Sequence, residues 1–250
     1  MPRYDFRTPR LYVDAPLTEG GEVPLDRDQT NYLLNVLRLR RGDAVLLFNG
    51  RDGEWRASLS GSGKRAALLA VGPRLRTQPR AGDLHFLFAP LKHARLDYLV
   101  QKAVEMGASR LQPVITRHTQ VARVNLDRMR ANAIEAAQQC GILAVPDVAE
   151  PVAFERVAAD AERLLVFCDE NAEVRDPVAA LVAVGRSPDE RLAVLVGPEG
   201  GFAEEERAAL LKRPKVVRIA LGPRILRADT AAVAALALVQ AVLGDWQRPA

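Results

Sequence analysis

Two segments have residue types and spacing suited to chemistry: residues 196–201, Val-Gly-Pro-Glu-Gly-Gly, and residues 221–230, Leu-Gly-Pro-Arg-Ile-Leu-Arg-Ala-Asp-Thr. Each follows an apolar run, 191–196 and 215–220, that reads as a strand, and each precedes a run that reads as a helix. Ligands of open α/β sheets sit beyond the carboxyl ends of the strands, where glycine lets backbone N–H and C=O groups come close. Taken singly, each junction is also no more than a tight turn; as a pair, the two loops build a pocket. No Lys-Ser or Lys-Thr follows the glycines, so this is not a P-loop, and the spacing is not the dinucleotide fingerprint Gly-x-Gly-x-x-Gly.

The elements that position these loops follow from period and turn chemistry. The helix after the first loop begins near Ala203, with Glu204, Glu205 and Glu206 in its first turn, where carboxylates suit the positive helix end. Asp229 or Thr230 is placed to cap the Ala-rich helix that runs to about Leu243. Upstream, short strands are expected over 11–13, 44–48, 54–59 and 65–71, with one helix over 26–37 whose cap is Asp26 or Asp28. From about residue 83 the rhythm becomes strand and helix in alternation: strands over 85–88, 111–115 and 163–168, helices over 94–106 and 125–139. The expected class is therefore α/β: a small β-barrel domain over 1–72, a Pro- and Arg-bearing linker over 73–82, and a parallel-sheet domain over 83–250.

Composition narrows the partners. The 250 residues are 48% hydrophobic and 26% charged with a net charge of +4, which suits a globular chain with a polyanionic partner. No apolar run suggests a membrane span or a secretory signal, and a cytoplasmic location is expected. Cys140 and Cys168 stand alone, and His85, His93 and His118 are scattered, so no metal centre is expected.

Further motifs stand in order along the chain: Val-Leu-Arg-Leu-Arg at 36–40 with Gly42-Asp43 and Leu-Phe-Asn-Gly at 47–50; Gln-Lys-Ala-Val-Glu-Met-Gly at 101–107; Pro-Val-Ile-Thr-Arg at 113–117; and Glu-Ala-Ala-Gln-Gln-Cys-Gly at 135–141. With the two late loops, they make the chain resemble, over nearly its whole length, the SPOUT class of S-adenosylmethionine-dependent RNA methyltransferases. Within that class it is similar to the family that methylates N3 of a uridine in 16S ribosomal RNA of the 30S subunit. The resemblance implies a PUA-like RNA-binding barrel, a trefoil-knotted methyltransferase domain holding the cofactor bent, and a homodimer. The chain departs from the family pattern at Tyr32, Gln138 and Ile142, where His, Glu and Arg are common.

On that resemblance the cofactor set is Cys168 and Val196 at strand ends; Gly197, Pro198, Glu199 and Gly200 in the first loop; Ala220, Leu221 and Gly222, then Ile225, Leu226 and Thr230 in the second. Asp169 would add a third wall. The uracil N3 proton has a pKa about two to three units above neutral, so forming the anion costs on the order of 3–4 kcal/mol. Arg227 would stabilise the charge left on the ring oxygens, its alternative being a brace with Asp229 or Glu199; Glu199 is the candidate carboxylate, its alternative a helix-dipole partner. For RNA, the expected phosphate contacts are Arg3, Arg7, Arg10, Arg38 and Arg40, with Lys92 and Arg117 on the larger domain. Other readings are a SPOUT methyltransferase with another RNA target, or a non-catalytic RNA-binding assembly factor.

Overall fold

The structure, a computed structural model, describes residues 7–62, 67–121, 123–173, 176–185 and 190–246. It divides into two compact units, residues 1–80 with 137–145, and residues 81–136 with 146–250.

The first unit is a five-stranded mixed sheet in the order β1-β3-β4-β5-β2. Its strands are β1 (Arg10–Tyr12), β2 (Glu22–Pro24), β3 (Ala44–Phe48), β4 (Glu54–Ser62) and β5 (Ala67–Arg76). Leu11, Val23, Val45, Leu47, Leu59 and Leu69, drawn from all five strands, share one core, so the sheet curls around its own apolar face. Strand β5 runs into the segment expected as linker. Pro73 is tolerated because the register slips there: Trp55 pairs with Arg74 and Ala57 with Val71, leaving Pro73 at a bulge where it owes no ladder bond.

The helix expected over 26–37 is two pieces, α1 (Arg27–Asn31) and a π turn, Tyr32–Val36. Asp26 is the cap, its carboxylate accepting from Gln29 N–H at 2.7 Å in a capping box. Leu37 N–H then bonds Tyr32 O and Leu39 N–H bonds Leu33 O, both at 2.9 Å, and between them Arg38 has φ +57°. An L-residue in that left-handed region costs about 1–2 kcal/mol.

Arg10, expected on the RNA face, is instead buried, 8% exposed. Its Nε meets Glu54 at 2.8 Å while Arg76 reaches the same carboxylate at 2.7 and 2.9 Å. A buried carboxylate needs such partners, so Arg10 is spent within the barrel. Burial pushes the Glu54 carboxyl up, but the bonds from Arg76 and Arg10 outweigh it and hold it below the usual range. Gln138 is likewise structural, since its side-chain oxygen accepts from Tyr12 N–H at 2.7 Å.

The second unit is a parallel sheet in the order β12-β10-β11-β6-β7-β8, with β9 also on β7. Its strands are β6 (Leu84–Phe88), β7 (Arg110–Ile115), β8 (Asp147–Val148), β9 (Val152–Ala153), β10 (Leu164–Cys168), β11 (Leu192–Val196) and β12 (Val216–Ile219). Strands β10 and β11 are buried at every residue, as the centre of a parallel sheet covered on both faces requires. The helices are α2 (His93–Glu105), α3 (Leu126–Cys140), whose residues from Ala137 on belong to the first unit, α4 (Phe154–Ala159), α5 (Pro177–Val184), α6 (Glu204–Leu211) and α7 (Ala228–Val242). Helix α7 begins earlier than expected: Arg227 is its N-cap position, without a side-chain cap bond, and Asp229 and Thr230 lie inside the first turn. Asp229 accepts from Thr230 N–H at 2.9 Å instead of capping. Among the described residues no helix is long and apolar enough to cross a membrane.

Candidate active site

The carboxyl ends of β10, β11 and β12 meet at one cavity of about 470 Å3, within the range of small-molecule sites. Cys168 at the end of β10 and Asp169 and Glu170 just after it line the cavity; Val196 at the end of β11 and the loop after it contribute residues 196–201; the segment after β12 contributes residues 221–227, and α7 adds Ala228 and Ala231. Parallel pairing of β10 with both β11 and β12 places Cys168 opposite Val196 and Ile219, so the three loops leave the sheet at one level.

In the first loop, Gly201 N–H bonds Pro198 O at 2.9 Å and Gly201 has φ +66°. A Cβ there would stand 2.4 Å from Glu170 Oε1, so this glycine is required both by conformation and by the approach of Glu170. Gly197 is required by packing, since a Cβ would meet the Phe202 ring at 2.5 Å. From the loop after β7, His118 Nδ1 lies 3.1 and 3.2 Å from the carbonyl oxygens of Gly200 and Gly201. Both partners are acceptors, so Nδ1 carries the proton.

Two of the lining residues, Asp169 and Glu170, belong to an ion-pair cluster. Asp169, its side chain with no exposed surface, accepts from Arg207 Nε at 3.1 Å and from Arg218 at 2.8 and 2.7 Å. Glu170 meets Arg207 Nη2 at 2.6 Å. One carboxylate thus ties the end of β10 to α6 and to β12. Burial, and then the Asp169 charge, push the Cys168 thiol up to about 12, so Cys168 offers a neutral, weakly polar wall and not a nucleophile.

Of the expected cofactor residues, Cys168, Val196, Gly197, Pro198, Glu199, Gly200, Leu221, Gly222, Ile225 and Leu226 line the cavity. Ala220 and Thr230 are not among its lining residues. Arg227 lines the cavity, and Glu199 lies at its rim with Arg95 Nη1 of α2 at 3.3 Å. The alternative brace for Arg227 is not formed: the structure gives its side chain no ion pair with Glu199 or Asp229. Unforeseen wall residues are Glu170, Gly201, Pro223, Arg224, Ala228 and Ala231. The last two lie one turn apart, the spacing that an earlier helix start would have disclosed.

Among the expected RNA contacts, Arg3 lies outside the described residues. Arg7, Arg38, Arg40 and Lys92 are exposed, and Arg7 has interactions of its own. Arg117 is exposed and partly engaged, Nη1 standing 3.5 Å from Glu205 while its N–H donates to Glu206 at 2.9 Å. Among the described residues no group of three His, Cys, Asp or Glu is gathered for a metal.

A parallel sheet whose three adjacent strand ends offer glycine-rich backbone to a single cavity defines a small-molecule-binding α/β protein, here joined to a β-barrel unit. Residues 78–240 match a family described as RNA methyltransferase domain, and residues 25–71 one described as RNA methyltransferase PUA domain. The chain belongs to this RNA methyltransferase family. It is 30% identical to the ribosomal RNA small subunit methyltransferase E of Synechocystis over 94% of this chain and 78% of that one. It is 29% identical to the protein of that name from Rickettsia conorii, over 92% and 94%. Among solved structures, the ribosomal RNA small subunit methyltransferase E of Neisseria gonorrhoeae bound to S-adenosyl methionine has a TM-score of 0.84 at 28% identity, covering 96% of this chain and 100% of that one. A Legionella pneumophila protein in complex with the same cofactor has a TM-score of 0.81 at 28% identity, over 94% and 98%.

Proposed function

We propose that this protein transfers a methyl group from S-adenosylmethionine to N3 of a uridine in the small-subunit ribosomal RNA. The observation that carries the reading is the cavity at the ends of β10, β11 and β12, where glycine-rich loop backbone and apolar side chains stand beside the charged residues Asp169, Glu170, Glu199, Arg224 and Arg227. Such walls fit a ligand with an adenine ring, which needs backbone donors and acceptors beside apolar surface, and a neutral Cys168 suits them. When bound, S-adenosylmethionine supplies an electrophilic methyl group.

The chain's own residues hold and orient. Backbone groups of the loops over residues 197–201 and 221–226 would hold the ligand, and the glycines give access to them. Arg227, exposed at the cavity mouth and without an ion pair, is available to the oxygens of a uracil as the N3 proton leaves. Glu199, held by Arg95, positions substrate or receives that proton. The knotted chain and the homodimer implied by the resemblance belong to this reading.

The test is nucleoside mass spectrometry of 30S subunits and of protein-free 16S RNA after incubation with the protein and labelled S-adenosylmethionine. Label in 3-methyluridine is the expected result, and its restriction to 30S subunits would identify an assembled substrate. Cofactor binding with no label on either RNA would overturn the uridine-N3 assignment.

A further inference from the structure

The loop over residues 197–201 lines the cavity and carries two adjacent glycines, Gly200 and Gly201. Glycine loses more conformational freedom on ordering than any other residue. A ligand that had to order this pair itself would therefore bind more weakly than one that meets a loop already fixed. The loop is fixed from outside the cavity, by the turn that follows β7. His118 Nδ1 stands within hydrogen-bond distance of the carbonyl oxygens of both glycines, at 3.1 and 3.2 Å. Residues 116–119 are not among those that line the cavity.

The turn that presents His118 is closed on itself. Strand β7 ends at Ile115, and Thr116, buried, donates its N–H to Thr119 Oγ1 at 2.8 Å. Thr119 N–H returns to Thr116 O at 3.1 Å, and the two hydroxyls meet at 2.9 Å. The same turn has a second grip. Arg117 N–H donates to one oxygen of Glu206 at 2.9 Å, and the other oxygen accepts from Ala203 N–H at 2.9 Å, at the start of α6. Contacts at Gly200 and Gly201, and through Glu206 at Ala203, thus hold the loop over its whole passage from the cavity to the helix. The histidine stem also lies against the loop, since a Cβ on Gly200 would stand 3.3 Å from His118 Cβ.

We propose that His118 is a positioning residue for the cofactor. By donating from Nδ1 to the carbonyl oxygens of Gly200 and Gly201 it fixes the loop before S-adenosylmethionine arrives, and so sets cofactor affinity without touching the cofactor. The inference rests on the reading of the cavity as the S-adenosylmethionine site and adds a residue that acts on it from outside.

The experiment is titration calorimetry of S-adenosylmethionine into wild type, His118→Ala, His118→Leu and His118→Asn, with hydrogen exchange of peptides covering residues 197–203 in the cofactor-free proteins. The amide nitrogen of asparagine is attached to Cγ as Nδ1 is, so it restores the donor, whereas leucine restores bulk alone. In His118→Ala and His118→Leu the Kd rises about fivefold and exchange over the loop quickens; in His118→Asn both stay within about twofold of wild type. Single-turnover methyl transfer at saturating cofactor stays within about twofold of wild type in all three, the mark of a residue that moves KM and not kcat. Wild-type affinity in His118→Ala or His118→Leu, or binding in His118→Asn as weak as in His118→Ala, would each overturn the proposal. A saturated rate that falls as far as the affinity would place His118 in the transfer step and overturn it as well. If wild type binds S-adenosylmethionine and every variant binds it equally, the role of His118 alone falls; if wild type does not bind it, the functional reading falls and this inference with it.

Discussion

Arg218 of β12 places Nε and Nη2 at 2.8 and 2.7 Å from one oxygen of Asp169, a carboxylate without exposed side-chain surface. The other oxygen takes Arg207 Nε at 3.1 Å and the N–H of Asn171 at the same distance. Since β12 leads into one cavity loop and α6 follows the other, this carboxylate sets the spacing between the two. Asp169→Asn keeps the shape and removes the charge that pairs two guanidinium groups, of which Arg207 is nearly buried. Breaking a buried pair costs about 3–5 kcal/mol, and part of that is relieved because Arg218 reaches water, so a loss of about 2–3 kcal/mol is expected in urea unfolding. Titration calorimetry should show weaker cofactor binding. A variant as stable as wild type with unchanged affinity would remove Asp169 from this role.

Gly201 and Gly185 separate conformation from contact. Both have positive φ, +66° and +62°, but only at Gly201 does a Cβ meet anything, Glu170 Oε1 at 2.4 Å, whereas at Gly185 nothing lies within 4 Å. Each alanine variant should lose about 1–2 kcal/mol from the left-handed backbone. Gly201→Ala should also displace Glu170 and weaken cofactor binding, while Gly185→Ala leaves affinity as it was. Equal affinities in the two variants would show that the approach of Glu170 to the loop is unimportant.

The sheet was legible because its central strands are uninterrupted apolar runs, and the cavity loops because glycine and proline punctuate the ends of two of them. Short elements were missed for physical reasons: β2 has three residues and α4 six, too few for a period to show. Helix α5 was missed although its signals are local: Asp176 caps it, Pro177 opens it and Gly185 closes it. Charge could not be sorted by type alone. Arg10 and Arg38 look alike in sequence, yet one is buried on Glu54 and the other exposed, a difference made by register in β1 and by the turn after the π-helix. The Asp169 cluster joins residues 38 and 49 positions apart, which no local pattern discloses.

Arg227→Lys tests charge stabilisation at the cavity mouth. Lysine keeps the positive charge and loses the planar fork, so a group that steadies two ring oxygens should lose at least about tenfold in kcat while cofactor affinity stays within about threefold. Glu199→Gln should lower kcat and release Arg95, now 3.3 Å from the carboxylate. Single-turnover rates at saturating cofactor make the comparison, and unchanged rates would remove either residue from catalysis.

The two thiols should differ in reactivity. Cys140 is exposed and Cys168 buried, with its pKa raised to about 12 by burial and by Asp169. At pH 8, iodoacetamide should add one label to the native protein, on Cys140, and a second only after unfolding. Rapid native labelling of Cys168 by mass spectrometry would contradict its neutral, enclosed setting.

Acid sensitivity should begin well above the carboxylate range because of His85. Burial and then the Arg163 charge lower its pKa from 6.5 to about 4, against the opposing pull of Asp83. The folded state therefore favours the neutral ring: stability is complete above pH 6.5, falls as pH drops toward 4 while the unfolded chain takes up the proton first, and levels off below. One proton gives a slope of at most about 1.4 kcal/mol per pH unit. Glu54, held below 4.5, adds its own loss only at lower pH. Urea unfolding between pH 7 and 4.5 should show this slope in wild type and not in His85→Gln, and a slope that survives the substitution would assign it to other groups.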